Sequence, residues 1–162
     1  MRNIHNFKTN CFFSQDLVLS SIAVLFGGLI YIFFRPLEPV FFAWIEYFDF
    51  EEWLAATRQN TLLLTHLLPD WILYSLPHGL WTFAYSLLIT GIWWRNKSHV
   101  KYFWLASIPL LIVGWEVFQY LGILPGTFSF EDITLGLAGI CTGIFTGIKL
   151  SKLNNYEKGT NE

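Results

Sequence analysis

Apolar residues run almost unbroken over four stretches, 17–34, 77–94, 102–122 and 133–150. Crossing the hydrocarbon core of a bilayer takes about 20 mostly apolar residues in a helix. The pattern therefore predicts an all-α polytopic membrane protein. Its four-helix transmembrane bundle would form a single membrane domain over 1–162, with an outer interfacial helical segment. The first run is too long for the core of a signal peptide, and no small-residue cleavage pattern follows it, so it reads as an uncleaved anchor. Pro77 reads as a first-turn residue of the second helix, where proline is favoured. Pro109 lies inside the third run and predicts a kink between Leu105 and Pro109, because proline cannot donate to the helix ladder.

The segment between the first two runs, 36–76, is too long for a simple turn. Residues 37–48 are rich in Phe, Trp and Tyr. Asp49 followed by Glu52 reads as a capping box, and a helix is expected from Phe50 to His66. Aromatic rings favour the membrane interface, so these pieces are expected to lie there, as a lid or only as an anchor. The tail, 152–162, is polar and expected to be loose. No internal repeat or linker interrupts the chain.

Composition agrees with the pattern: of 162 residues 54% are hydrophobic and only 14% charged. The soluble average is about a quarter charged. A net charge of −2 gives no reason to expect nucleic acid as a partner. Cys11 and Cys141 have no neighbours at metal-ligand spacing and imply no disulfide framework. No cofactor or metal motif is present. Basic residues sort the loops. With the N-terminus inside, Arg2, Lys8, Arg95, Lys97, Lys101, Lys149, Lys152 and Lys158 all face the cytoplasm, leaving Arg35 and Arg58 outside. That is the positive-inside distribution. It predicts cytoplasmic N- and C-termini and an anionic outer face carrying Glu38, Glu46, Asp49, Glu51, Glu52, Asp70, Glu131 and Asp132.

Against this greasy background a few polar residues stand out. Glu116 lies about 21 Å along the third helix from Tyr102, at 1.5 Å per residue. Gln119 and Tyr120 share its face. His78, Trp81, Thr82 and Tyr85 share a face of the second helix by the same spacing. Asp132, near the start of the fourth helix, follows the Pro125-Gly126 turn. Glu131 and Asp132 also suit a helix N-terminus, a purely structural role. Ionisable groups at membrane depth usually line a cavity or pair with one another. One reading is an outward-facing polar pocket of His78, Glu116, Gln119 and Asp132, walled by Trp81, Tyr85 and Trp115. The other is a clasp, with Glu116 bonded to His78 or to the backbone near Pro125-Gly126, that only locks the helices. In the fourth helix Gly136, Gly139, Gly143 and Gly147 form a ridge that lets a neighbouring helix approach closely.

Glu116-Val117-Phe118-Gln119, a short turn, then Asp132-Ile133 and Gly139, resembles the VanZ-like membrane proteins. Those have a His early in one helix, Glu-x-x-Gln late in the next and Asp-Ile opening a Gly-rich last helix. The resemblance covers 76–149. The chain departs from the family pattern at Thr127 and Ser129, where Arg is frequent, and at Gly136, where Asn is frequent. Pro77-His78-Gly79-Leu80-Trp81 also replaces the usual surroundings of the His. The resemblance implies a bacterial inner-membrane protein of the cell envelope, in a family whose name-giving members are linked to glycopeptide antibiotic resistance.

Three functions fit these residues. The first is a protein that binds a lipid or lipid-linked headgroup in the outer pocket, with an amine-bearing or zwitterionic group suiting the anionic face. The second is an accessory subunit that docks on a membrane-protein partner, or on a second copy of itself, through the glycine ridge. The third is an intramembrane enzyme using His78 and the carboxylates. No Ser or Cys nucleophile stands beside a base, and no His-Glu-x-x-His spacing occurs, which weighs against the third.

Overall fold

The computed structural model describes residues 15–35, 47, 51–124 and 128–160, excluding the side chains of 51, 60, 62 and 154–160. The elements in order are α1 (Gln15–Phe34), α2 (Glu51–Leu64) with a 3₁₀ turn (Thr65–Leu67), α3 (Asp70–Trp93), α4 (Val100–Tyr120) and α5 (Phe130–Thr160). Among the described residues there is no strand. Four helices, α1, α3, α4 and α5 as far as Leu153, are long and apolar enough to cross a membrane. Their burial pattern is the reverse of a water-soluble bundle. Leu25, Phe26, Phe103, Leu110 and Phe145 face outward, while Ser20, Thr82, Ser86, Thr90 and Glu116 are buried.

The helix α3 is the hub. It packs most extensively on α5, then on α1, and more lightly on α4. The α1 contact is antiparallel: Ser20 Oγ donates to Ala84 O at 3.2 Å, and Trp81 Nε1 donates to Val24 O at 3.3 Å. The α5 contact is parallel, with Gly136 beside His78, Gly139 beside Thr82, Gly143 beside Ser86 and Gly147 beside Thr90. Small residues on both helices bring the backbones together, and Thr82 Oγ1 lies near both Gly79 O, at 2.9 Å, and Gly136 O, at 3.3 Å. A small apolar core of Ile89, Ile108, Ile112 and Ile140 fills the space where α3, α4 and α5 meet.

Helix ends are closed by local chemistry. Arg58 on α2 donates to Ile32 O at 2.6 Å and to Arg35 O at 2.7 Å, while Thr61 donates to Phe33 O at 2.8 Å. These bonds satisfy carbonyls that the end of α1 leaves without helical partners. Partial burial lowers the Arg58 pKa from its usual value, but a guanidinium keeps its charge. At the end of α4, Gly122 has φ 70°, and Ile123 N–H reaches back to Phe118 O at 2.9 Å, the Schellman arrangement that favours glycine.

Two expectations change. The helix α3 starts at Asp70, not Pro77, so Asp70–Leu76 belongs to the helix rather than to the interfacial segment. Pro69, in an extended conformation, supplies the N-cap position, and Pro77 sits buried in the helix interior. A proline there leaves one carbonyl without its helical donor, a cost that packed helices tolerate. The tail, expected to be loose from 152, continues α5 to Thr160. It meets no proline, and its first glycine is Gly159, so nothing stops the helix earlier. Around Pro109 α4 is unbroken. The Asp49 capping box, the start at Phe50 and the Pro125-Gly126 turn lie outside the described residues.

Candidate functional site

The end of the bundle opposite Gln15 gathers the start of α3, the end of α4 and the start of α5. Ser129 begins α5 as its N-cap. Its hydroxyl donates to Glu131 Oε2 at 2.7 Å and accepts the Asp132 N–H at 3.4 Å. Glu131 is thereby held outward at the surface, whereas Asp132 is half-buried and turned toward its neighbours. The early turns of α3 carry His78 against Gly136, whose missing side chain leaves room for the imidazole. A Cβ there would stand 3.2 Å from His78 Nε2.

Glu116 reaches this place from α4. It is 2% exposed, and the Ser129 backbone amide bonds its carboxylate. Its Oε1 stands 4.0 Å from His78 Nε2. That is beyond hydrogen-bond length. Asp132 is within electrostatic reach of both His78 and Glu116. Glu116 Oε2, His78 Nε2 and Asp132 Oδ1 are buried and have no hydrogen-bond partner among the described residues. Native structures rarely leave such atoms unpaired. Three such atoms lie on one small patch. Gln119 is half-buried one turn beyond Glu116 on the same face.

The other expected members point elsewhere. Trp81 turns to α1, where its ring meets Tyr31 at 5.9 Å and its N–H meets Val24 O. The Tyr85 hydroxyl bonds Ser107 Oγ at 2.7 Å, deeper along α4. Ser107 spends its own proton on Trp104 O at 2.6 Å, so Tyr85 is the donor. Trp115 is exposed on the outer surface of α4.

A crevice of about 340 Å³ adjoins the cluster, lined by Asp70, Trp71, Tyr74, Ser75, Ser129 and Glu131. Two of its residues tie it to the buried groups. Ser129 bonds Glu116 through its backbone, and Ser75 lies one turn before His78 on α3 and is itself buried. The sequence pattern did not single out Asp70, Trp71 or Tyr74, because they fall before the proline that looked like a helix start. It also passed over Asp16, a buried carboxylate on α1 at the far end of the bundle. Asp16 Oδ1 has no hydrogen-bond partner among the described residues, and its Oδ2 lies 2.7 Å from where a Cβ on Gly91 would stand.

Among the described residues no group of three or more His, Cys, Asp or Glu is placed to hold a metal ion. The site offers carboxylates, one imidazole, hydroxyls and aromatic walls, a set that recognises cations and hydrogen-bond donors. No protein-family model, curated protein or solved structure matches the chain.

Proposed function

We propose that the protein is a multi-pass membrane protein that binds an amine-bearing lipid headgroup in a polar site at the outer surface. The observation that carries this reading is Glu116, 2% exposed, whose Oε2 has no partner among the described residues and lies beside His78 and Asp132, with a crevice reached through its neighbour Ser129. The clasp reading has one bond in its favour, from the Ser129 backbone amide to Glu116. Against it, the His78–Glu116 pair at 4.0 Å is not hydrogen-bonded, and among the described residues Glu116 Oε2 has no partner. Excess carboxylate over basic groups favours a cationic ligand, and an ammonium supplies the donors that Glu116 and Asp132 lack. The site stands at the end where the sorting of basic residues puts the outside of a cytoplasmic membrane. The resemblance to VanZ-like envelope proteins belongs to the same proposal.

The test compares lipids that stay bound to the purified protein by native mass spectrometry. Phosphatidylethanolamine is expected to be retained over phosphatidylglycerol, and Glu116→Gln is expected to fold normally and lose the preference. Equal retention of both lipids by the unaltered protein would leave the cluster as a structural clasp. Selective retention that survives Glu116→Gln would remove Glu116 from the site.

A further inference from the structure

Two arginines lie at this end of the bundle, and the structure gives them different tasks. Arg58 spends its guanidinium on the closing carbonyls of α1, Ile32 O and Arg35 O. The Arg35 side chain makes no hydrogen bond or ion pair among the described residues. Its guanidinium carbon instead lies over the rings of Tyr31, at 4.8 Å, and Tyr74, at 4.9 Å. The two rings hold the guanidinium in place without using its N–H donors in a hydrogen bond among the described residues, and those donors match phosphate oxygens. Tyr74 is also a wall of the crevice. One ring thus joins an uncommitted cation to a chamber bordered by Asp70 and Glu131, next to Glu116 and Asp132.

We infer that the ligand is a zwitterionic headgroup, a single phosphodiester carrying an amine, with Arg35 taking the phosphate and the carboxylates taking the ammonium. The inference rests on the proposed amine site and adds the second charge. It also sets the number of phosphates. Among the described residues, with Arg58 committed to α1, one guanidinium is left at this end for four carboxylates, Asp70, Glu116, Glu131 and Asp132. A pyrophosphate would bring further negative charge with no second guanidinium to meet it. A pyrophosphate-linked precursor is therefore disfavoured, and a phospholipid of the phosphatidylethanolamine type fits. Trp71 and Tyr74 would flank the ammonium with their ring faces.

The experiment measures retention of three micelle-borne probes: phosphatidylethanolamine, stearylamine (amine without phosphate) and phosphatidylglycerol (phosphate without amine). Phosphatidylethanolamine is expected to bind about tenfold more tightly than either single-charge probe. Arg35→Gln is expected to bring it down to the stearylamine level while leaving stearylamine unchanged, and Arg35→Lys is expected to restore most of the loss. Competition by soluble glycerophosphoethanolamine would support the same chemistry with the free headgroup as its source. If stearylamine binds as well as phosphatidylethanolamine in the unaltered protein, or Arg35→Gln changes nothing, the phosphate contact is overturned and the amine site stands. If no amine-bearing probe is preferred, the amine site falls and the zwitterion reading with it. Helix content by circular dichroism accompanies each variant, and the unaltered protein alone decides the first comparison.

Discussion

Replacing Gly143 by alanine tests the interface that holds the bundle together. A Cβ at this position would stand 2.6 Å from Phe83 O, 2.8 Å from Ser86 Cβ and 3.1 Å from Leu87 N. The nearest of these atoms is main chain of α3, so no rotamer change removes it. The approach is about 0.8 Å short of ordinary van der Waals contact. The helices must separate, and Gly139 and Gly147 on either side, whose own Cβ positions also lie under 3.0 Å from α3, must move with them. Overpacking of this kind costs about 1–3 kcal/mol. Glycine-to-alanine in a helix also gains about 0.5–1 kcal/mol of backbone entropy, so the packing cost needs a reference. Gly28 supplies it, since a Cβ there meets nothing within 4 Å. Gly28→Ala should be neutral or stabilising, and the difference between the two variants isolates the clash. The assay is reversible unfolding in mixed micelles, followed by circular dichroism as the denaturing detergent is raised. Gly143→Leu should be worse than Gly143→Ala. If Gly143→Ala matches Gly28→Ala, the parallel α3–α5 packing is wrong.

Gly91→Ala should destabilise by crowding Asp16 Oδ2, 2.7 Å from the new Cβ, and the cost should vanish in an Asp16→Ala background. A double-mutant cycle with no coupling would refute that contact. Arg58→Ala should loosen the α1–α2 junction, since two charge-assisted bonds of about 1.5–3 kcal/mol each are lost. Faster hydrogen exchange confined to the end of α1 and to α2 is the expected result, and unchanged exchange would argue against it. For orientation, Asn60→Cys should react with an impermeant thiol reagent in intact cells and Lys158→Cys should not, both in a background lacking Cys11 and Cys141. Labelling of Lys158→Cys would invert the proposed topology.

The four long apolar helices were legible because lipid-length runs leave a strong one-dimensional signal. The start of α3 was not, because Pro77 looks like a boundary when the chain is read locally. It is tolerated inside the helix where α1 and α5 enclose it: the Pro77 carbonyl faces Gly27, and the neighbouring Gly79 touches Leu135. That one error hid the crevice, since Asp70, Trp71 and Tyr74 were assigned to an interfacial segment. The approach of His78 to Glu116 could be anticipated from depth along two helices. The direction of Trp81 could not, because helical spacing gives a shared face without saying which neighbour that face meets. Asp16 was invisible for a similar reason. An acidic residue at a helix start is ordinary, and only the packing of α1 on Gly91 shows that it is buried.

The parallel pairing of α3 with α5 has a consequence for how the protein is made. The hydroxyl row Thr82, Ser86 and Thr90 is covered by glycines that come more than one whole helix later in the chain. Synthesis runs from the N-terminus, so α1, α3 and α4 exist before their cover does. During that interval the hub exposes a polar seam that no earlier helix closes, and Glu116 lacks the Ser129 amide. The nascent chain therefore carries a built-in sign of incompleteness, erased only when α5 slides in alongside α3. A chain truncated before Gly136 would leave Thr82, Ser86 and Thr90 without that glycine cover permanently.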